Sequence, residues 1–337
     1  MRIAVVHNRV TDQDAPDARD VVIQADVVSK ALSCLGHETT IISCSLDLEE
    51  IRYKLVEVKP DLVFNLVEDL GGYGRLIHLF PFLLDALGIA YSGSPAEAIF
   101  LSSHKTMAKE RMLHEGLPTP AWAGSYPPGG KLPSLQAKDS KWIIKSLWEH
   151  ASVGLDAGSV LKTDSAEVLA AEMRKRCAML GGACFAEEFI DGREFNLSLL
   201  AGENGPEVLP AAEIIFEGYT PEMIRIVDYQ AKWEENSYAY THTTRRFDFT
   251  DEDHEMLKLM RDIARHCWQV FGLAGYARID FRVDRDGHPY ILEINANPCL
   301  SPDAGFAAAV ARAGVGFDEA LTRIVADAKR NRPQQEN

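Results

Sequence analysis

Residues 276–298, YARIDFRVDRDGHPYILEINANP, constrain the fold of this chain more than any other segment. They contain two runs in which apolar and polar residues alternate, as in strands with one buried face. Asp286-Gly287 separates the two runs, and this dipeptide predicts a β-hairpin with a two-residue type I′ turn. Such a turn sets Asp280 opposite Glu293, and the alternation places Ile291 on the same face as Glu293.

The polar face of this predicted hairpin carries charges that need an explanation. Two carboxylates that lie opposite each other repel unless a cation lies between them. Asp280, Glu293 and Asn295 are oxygen donors of the kind that bind Mg²⁺. The alternative is a solvated face on which Arg278 and Arg282 neutralise the acids, but it does not explain why Glu293 and Asn295 interrupt an apolar strand. We therefore predict a metal site here.

Composition limits the class of protein. The chain has 337 residues, 46% of them hydrophobic and 25% charged, which is typical of a globular protein with two or three domains. The net charge of −15 argues against nucleic acid or an anionic membrane as a partner, because both bind clustered Lys and Arg. No apolar run is long enough to span a bilayer. The six cysteines form no CxxC motif, which fits free thiols and a cytoplasmic location.

Strand-like and helical patterns alternate over the first ninety or so residues, which predicts a parallel sheet covered by helices. The predicted strands cover residues 2–7, 38–44 and 61–67, and the predicted helices cover residues 21–35, 48–58 and 76–87. Ligands of such sheets bind beyond the carboxyl ends of the strands. This rule directs attention to Asn65 and Glu68 as substrate residues, although an acid at a strand end also caps helices.

Three lysines occupy positions that could matter. Lys105 begins a predicted helix, Lys145 ends a short strand, and Lys232 lies in a long irregular segment at 218–244. Most lysines are surface charges, so none is diagnostic alone. Lys145 precedes a loop of small residues around 152–154 whose backbone amides could hold phosphates, but a plain loop explains the pattern equally well. A segment as long as 218–244 is more often a functional cover than filler.

Further elements are predicted from local patterns. Residues 184–190 and 194–200 indicate two strands that pair across a tight turn. Residues 251–271 indicate a long helix with Thr250 as its N-cap. Several prolines between 118 and 133 predict a loop-rich connection.

Six motifs in order give this sequence its resemblance to a known family: Lys105, Ile144-Lys145 with a Ser-Val-Gly loop, EEFIDGRE at 187–194, Ala231-Lys232-Trp233, RIDF at 278–281 and LEINANP at 292–298. Together they resemble the ATP-grasp superfamily, and within it the D-alanine–D-alanine ligases. The resemblance covers nearly the whole chain. It implies a mixed α/β and α+β architecture, the ATP-grasp fold, in which an N-terminal parallel α/β domain precedes two α+β lobes that grip ATP.

The resemblance also implies boundaries and a nucleotide site. The α/β domain would cover 1–101, the central lobe 102–186 and the C-terminal lobe with the metal hairpin 187–330, before a frayed tail at 331–337. The residues implied to bind ATP are Lys105, Lys145, Ser152, Glu187, Ile190, Glu194, Lys232 and Leu292. The lysines would contact phosphates, the loop at Ser152 would close over them, main-chain groups of Glu187 and Ile190 would read adenine, and Glu194 would bind the ribose.

The chemistry implied by the resemblance is ligation of a carboxylate to an amine. Asp280, Glu293 and Asn295 would hold Mg²⁺, or Mn²⁺ in its place, against the β- and γ-phosphates. Lys232 and Arg278 would act in catalysis, the arginine by stabilising the oxyanion that forms when an amine attacks an acyl phosphate.

The sequence departs from the family pattern only around the substrates. The Gly-rich turn and glutamate that follow the first strand in the family are missing from residues 7–12, and a His-Gly pair is replaced by Glu68-Asp69. Ala151, Cys299 and Ala304 stand where family ligases have serine, glycine and serine. We therefore expect an amino acid or dipeptide ligase whose substrates are not two D-alanines, with Asn65, Glu68 and Asp303 as candidate substrate residues. D-Alanine–D-alanine ligase itself and an ATP-binding protein without ligase activity are the alternatives.

The expected partners are a small-molecule carboxylate and a small-molecule amine, with no nucleic acid and no membrane. Family members often dimerise through the N-terminal domain, so a homodimer remains open. Cys299 suggests a nucleophile, but no histidine lies in its local motif and the family's chemistry needs no thiol.

Overall fold

The computed structural model describes residues 1–126 and 141–330. The predicted frayed tail at 331–337 and the Pro-rich connection from 127 onward lie outside the described residues. In chain order the strands of the described part are β1 (Arg2–Asn8), β2 (Glu38–Cys44), β3 (Leu62–Leu66), β4 (Trp122–Tyr126), β5 (Lys141–Ser146), β6 (Val160–Lys162), β7 (Cys184–Glu188), β8 (Arg193–Leu200), β9 (Glu207–Val208), β10 (Ala212–Phe216), β11 (Thr243–Arg246), β12 (Tyr276–Val283) and β13 (Pro289–Asn295).

The helices of the described part are α1 (Pro16–Cys34), α2 (Leu48–Val58), α3 (Leu79–Ala86), α4 (Ala96–Ser103), α5 (Lys105–His114), α6 (Ala166–Arg176), α7 (Tyr229–Trp233), α8 (Tyr238–Thr241), α9 (His254–Val270), α10 (Gly305–Arg312) and α11 (Phe317–Arg330). Short 3₁₀ turns precede or follow several of them, at Gly74–Leu76, Ala157–Ser159, Cys177–Leu180 and Asp251–Asp253. None of these helices is both long and apolar enough to cross a membrane, for the residues that the structure describes.

The strands form three sheets. The first is parallel, with the order β2-β1-β3, and confirms the predicted N-terminal α/β architecture. The second is antiparallel, with the order β4-β7-β5-β6. The third has the order β11-β10-β8-β12-β13, with β9 beside β8, and is also antiparallel.

The first helix is longer than predicted. It begins at Pro16 rather than at residue 21, so residues 16–20 before the predicted helix are also helical. Proline suits the first turn of a helix, because its fixed φ is already helical and its missing N–H would have had no partner there. Asp17 in the same turn interacts favourably with the helix dipole.

Two further predictions were wrong. The strands at 184–188 and 193–200 do not pair with each other, because β7 belongs to the second sheet and β8 to the third. The chain therefore crosses between lobes at 189–192. Thr250 makes no side-chain hydrogen bond as a cap, and the Asp251–Asp253 turn precedes α9 instead.

The N-terminal sheet packs against helices from the end of the chain. Ile3 and Phe64 of this sheet share one hydrophobic core with Phe306 of α10 and with Leu321 and Ile324 of α11. Apolar burial of this kind is the main force that holds sheet and helices together. This packing brings the carboxyl ends of β1 and β3 next to the chain that follows β13, where the cavity described below lies.

Candidate active site

The β12–β13 hairpin confirms the predicted pairing of Asp280 with Glu293 and differs in its turn. Gly287 has a φ of 85°, whereas Asp286 is not in the left-handed region, so the turn is not type I′. The amide of Gly287 donates to the carbonyl of Asp284 across 3.2 Å, and Val283 pairs with Pro289. The register next to the turn is therefore one residue away from the predicted one.

A β-bulge restores the predicted register. Between Asp280 and Phe281 the partner strand advances from Glu293 to Ile291, so Leu292 is the extra residue. Ile291 consequently lies in the core beside Phe281, and the prediction that it shares a face with Glu293 was wrong. The bulge lets this strand turn an apolar residue to the core while it keeps Glu293 on the opposite, polar side.

A cavity of about 570 Å³ lies between the second and third sheets and reaches the N-terminal domain. It brings together nearly all of the residues singled out from the sequence: Lys105, Lys145, Ser152, Glu187, Ile190, Glu194, Lys232, Arg278, Asp280, Leu292, Glu293, Asn295, Glu68 and Asp303. Asn65 is the exception among them. It is buried, its amide oxygen accepts a hydrogen bond from the backbone of Val67, and it does not appear in the described lining of the cavity.

Three charged residues, Lys105, Lys145 and Glu187, line the inner wall of the cavity, and a fourth, Lys109, lies behind them. The ammonium group of Lys105 donates to the backbone carbonyl of Glu149 across 2.8 Å, and burial lowers the pKa of Lys105. Lys145 forms an ion pair with Glu187. Lys109, which the sequence did not single out, approaches the other oxygen of Glu187 to 2.8 Å, and both side chains are only 1% exposed. Burial alone would raise the pKa of Glu187, but Lys109 and Lys145 lower it, so the carboxylate stays charged and holds Lys145 in place.

The loop that follows β5 has a strained backbone and is tied to the long 218–244 segment. Ala151 and Ser152 have φ values of 58° and 61°, a region that residues with a side chain rarely adopt. The hydroxyl of Ser152 donates to the carbonyl of Val227 across 2.7 Å. The indole N–H of Trp233 donates to the carbonyl of Ala151 across 3.2 Å. Both bonds hold the loop against the helix that carries Lys232.

The long segment also contacts the N-terminal domain. The hydroxyl of Tyr229 donates to the carboxylate of Asp17 across 2.9 Å, which joins α7 to α1. Lys232 lies one helical turn after Tyr229, and burial together with nearby Arg278 lowers the pKa of Lys232. The segment predicted as a cover thus spans from the loop at 151–152 to α1 and places one lysine in the cavity.

Arg282 organises the crossing between the two lobes. Its guanidinium donates to Glu194 Oε2 across 2.8 and 3.1 Å, and also to the carbonyls of Ile190 and Gly192. Both bonds to Glu194 use the same oxygen, which leaves Oε1 available to the cavity. A Cβ on Gly192 would lie 1.9 Å from the carbonyl of Val283, so only glycine permits this close approach.

The three predicted metal ligands lie together on the polar face of the hairpin. Arg278 binds both oxygens of Asp280 across 2.7 and 2.8 Å, and Asn196 donates to the same carboxylate across 2.8 Å. His150 Nδ1 lies 2.6 Å from Glu293 Oε1. Burial alone would raise the pKa of Glu293, but Lys105, His150 and Lys232 hold it well below its ordinary value.

This set suits a hard cation, because it brings together two carboxylates and the amide oxygen of Asn295 as oxygen donors. The alternative weighed from the sequence is also partly present, since Arg278 does neutralise Asp280. A different group of ligand atoms, from Asp284, Asp286 and His288, lies at the hairpin turn outside the cavity.

The end of the cavity near the N-terminal domain is acidic. Gln24 donates to Glu68 across 2.8 Å, and Asp20 accepts hydrogen bonds from the hydroxyl of Ser301 and the thiol of Cys299. Burial and the neighbouring acids raise the pKa of Glu68 to about 7. The same causes raise the pKa of the Cys299 thiol, so this cysteine is a hydrogen-bond donor rather than a thiolate nucleophile.

Comparison with known proteins agrees with this geometry. The family model described as "D-ala D-ala ligase C-terminus" matches residues 142–326, more than half of the chain. The D-alanine–D-alanine ligase of Gloeobacter violaceus is 29% identical over 96% of this chain and 98% of its own. That of Methylococcus capsulatus is 30% identical over 80% of both chains. The crystal structure of D-alanine–D-alanine ligase from Bacillus anthracis complexed with ATP superposes with a TM-score of 0.74 over 98% of both chains, at 19% identity.

The fold is therefore ATP-grasp, and the class of protein is an ATP-dependent ligase that joins a carboxylate to an amine in a peptide-like C–N bond. Within that class, the chain belongs to the D-alanine–D-alanine ligase family.

Sequence reasoning missed several residues of this site. Lys109 follows Lys105 by four positions in one helix, so helical spacing could have indicated that both point the same way. Arg282 stands on the polar face of β12, but its bonds to the crossing at 190–192 depend on pairing between β8 and β12. No sequence motif marks Asp20 or Arg245 as residues of the site, because their neighbours in the cavity come from distant parts of the chain.

Proposed function

We propose that this protein is an ATP- and Mg²⁺-dependent ligase that acts on an amino acid or dipeptide through an acyl phosphate, with substrates other than two D-alanines. One observation carries the proposal. A single cavity contains three lysines suited to phosphates, a paired set of oxygen donors and a half-buried arginine beside them. Phosphoryl transfer depends mainly on such positioning and charge neutralisation.

The nucleotide would lie along the inner wall of the cavity. Lys105 and Lys145 would bind its phosphates, and Lys232 would reach the γ-phosphate from the long segment. Main-chain groups of Glu187 and Ile190 would contact adenine. Glu194 would accept hydrogen bonds from the ribose through Oε1, because Arg282 already occupies Oε2. Ser152 and Leu292 complete the expected nucleotide contacts.

The metal ligands would be Asp280, Glu293 and Asn295, which fit Mg²⁺ and also Mn²⁺ in donor type. When bound, the ion would supply positive charge that offsets the charge of the phosphates. The residues of the chain do the rest of the positioning. Asn196 holds Asp280 in its orientation, and the lysines around Glu293 keep that carboxylate ionised.

The reaction would proceed in two displacements. A substrate carboxylate oxygen attacks the γ-phosphorus, the bond to the β-phosphate oxygen breaks, and ADP leaves with that electron pair. The substrate amine then attacks the carbonyl carbon of the acyl phosphate, the C–O bond to phosphate breaks, and inorganic phosphate leaves while the amine loses a proton. Arg278 would stabilise the oxyanion that forms when the amine adds to the carbonyl carbon, since it is half-buried and bound to the predicted metal ligand Asp280.

The substrate end of the cavity supports the departure from two D-alanines. Glu68 and Asp20 place two acids there, and Ala304 offers no hydroxyl to a substrate carboxylate. A second candidate is D-alanine–D-alanine ligase itself, which the names of the relatives from Gloeobacter violaceus and Methylococcus capsulatus favour. Homodimer formation stays a prediction.

An ADP-release assay over a panel of amino acids and dipeptides of both chiralities distinguishes the candidates. The proposal expects turnover, in the presence of ATP and Mg²⁺, with amines or acids other than D-alanine, together with a new peptide-like product in the mass spectrum. Turnover with D-alanine alone would establish the second candidate. Tight ATP binding with no turnover on any member would indicate an ATP-binding protein without ligase activity and would refute both.

A further inference from the structure

Arg245 lies in β11 at the edge of the cavity and outside the machinery described so far. Its guanidinium donates to the backbone carbonyl of Asp303 across 2.9 Å, and its Nε lies 3.7 Å from the point that a Cβ on Gly305 would occupy. The next residue, Arg246, forms an ion pair with Glu213 and does not line the cavity. Successive strand residues point to opposite faces, so the alternation turns one arginine to the cavity and its neighbour away from it.

Arg245 has no carboxylate in ion-pair contact. Within residues 1–126 and 141–330 it makes no ion pair, and the side chain is accessible to solvent where it lines the cavity. The other two arginines of the cavity wall are both paired, Arg278 with Asp280 and Arg282 with Glu194. Partial desolvation in the cavity and the proximity of Arg278 lower the pKa of Arg245, while the nearby carboxylate of Asp303 acts in the opposite direction. A guanidinium remains protonated in proteins, so this one presents a positive charge that no ion pair neutralises.

The position of Arg245 relates that charge to the substrate. It contacts the segment 303–305, where Ala304 offers no hydroxyl, and it lies near Arg278, which is expected to stabilise the acyl group. An anion bound by Arg245 would therefore lie close to the carbon at which the new bond forms. The planar fork of the guanidinium matches a carboxylate in two parallel hydrogen bonds.

We propose that Arg245 determines specificity by binding a carboxylate of the amine substrate, an inference that rests on the proposed ligase function. The carboxylate belongs either to the α-position of an amino acid or peptide, or to an acidic side chain. Both sources present the same chemistry to the guanidinium, and matched amides separate them.

The test compares acids with their amides as amine substrates. Purified wild-type protein, R245Q and R245K are assayed for ADP release with ATP, Mg²⁺ and one acid of the panel held at a fixed saturating concentration as the carboxylate substrate. The amine substrate is then varied among both enantiomers of alanine, alaninamide, glutamate, glutamine and isoglutamine. We expect wild type to prefer the free acid over its amide by about 10- to 100-fold in kcat/KM, the range of a lost charge-assisted hydrogen bond. In R245Q the preference should disappear through a higher KM for the acid, and R245K should retain part of it.

The matched control is R246A, which removes the neighbouring arginine from the opposite face and should keep the full preference for the acid. If R245Q loses the preference for alanine over alaninamide and for glutamate over isoglutamine, Arg245 binds the α-carboxylate. If R245Q loses only the preference for glutamate over glutamine, Arg245 binds the acidic side chain. If R245Q turns over the acid and discriminates against the amide as wild type does, the role of Arg245 is refuted while the ligase function stands. If wild type turns over no member of the panel while binding ATP, both fail.

Discussion

Replacement of Glu68 by glutamine should remove a pH dependence of stability that the wild-type protein carries. Burial and the nearby acids Asp20 and Asp69 raise the pKa of Glu68 from 4.5 to about 7 in the folded protein. In the unfolded chain the pKa returns to its ordinary value, so between pH 4.5 and 7 the folded state holds a proton that the unfolded state has lost. Stability contributed by Glu68 is therefore present below pH 4.5 and is lost as the pH rises through 7. A shift of this size corresponds to about 3 kcal/mol.

Thermal unfolding of wild type and E68Q from pH 5 to pH 8 measures this effect. Glutamine keeps the shape of the protonated acid and can still accept the hydrogen bond from Gln24. The melting temperature of E68Q should exceed that of wild type by roughly 4 °C at pH 8, and the difference should shrink toward pH 5. E57Q, which neutralises an exposed acid on α2, is the matched control and should leave the profile of wild type unchanged.

Binding gives an independent view of the same carboxylate. If a substrate ammonium group lies beside Glu68, it favours the ionised acid, so binding near pH 6 should release a proton. Calorimetric titration with the amine substrate in two buffers of different ionisation enthalpy counts that proton, and E68Q should release none. Parallel pH profiles for wild type and E68Q would refute the reasoning, because the stability would then not depend on the protonation of this side chain.

Three further substitutions test separate parts of the site. E293Q should lower ADP release by about 100-fold or more and weaken Mn²⁺ binding, because an ionised metal ligand is lost; unchanged ADP release would contradict the metal assignment. Y229F removes the hydrogen bond to Asp17 and should lower kcat/KM by about fivefold, the effect of roughly 1 kcal/mol, whereas an unchanged value would show that this contact does not hold the cover closed. C299S should keep activity within about twofold, because a hydroxyl can donate to Asp20 as the thiol does, and loss of ligation would restore the nucleophile hypothesis.

The hairpin shows why a correct prediction of a site need not follow from a correct prediction of its structure. The two-residue turn was wrong by one position, and the straight strand was wrong by one bulge. The turn shifts the register by one residue and the bulge shifts it back before Glu293, so Asp280 still pairs with Glu293. The informative signal was the presence of polar residues within an apolar strand, and this signal does not depend on the geometry of the turn. Ile291 is apolar like its neighbours, so nothing in the sequence marked the bulge beside it, and its face was predicted wrongly.

The residues predicted for ATP and metal lie in short motifs, where neighbours in sequence are also neighbours in space. Arg278 and Asp280 are two positions apart on β12, and Glu293 and Asn295 are two positions apart on β13. Such groups can be found from spacing alone. The crossing between β7 and β8 could not be predicted in this way, because an Asp-Gly turn between two short strands also fits a hairpin. Only the pairing of β8 with β12 decides against the hairpin.

The substrate end of the cavity is built from residues that are far apart in the sequence. This explains why its contacts were hard to predict and why its residues can change independently of one another. Gln24 binds Glu68 across 44 positions of sequence and the amide of Leu300 across 276. Arg245 reaches Asp303 across 58 positions, and none of these partners lies in a motif with the other. A substitution at one of these positions alters the substrate end without moving the predicted metal ligands on β12 and β13, because those are fixed by their own pairing. We therefore expect specificity in this chain to change one residue at a time while the predicted phosphate and metal contacts stay intact, and Arg245 is the residue at which such a change would add a full charge.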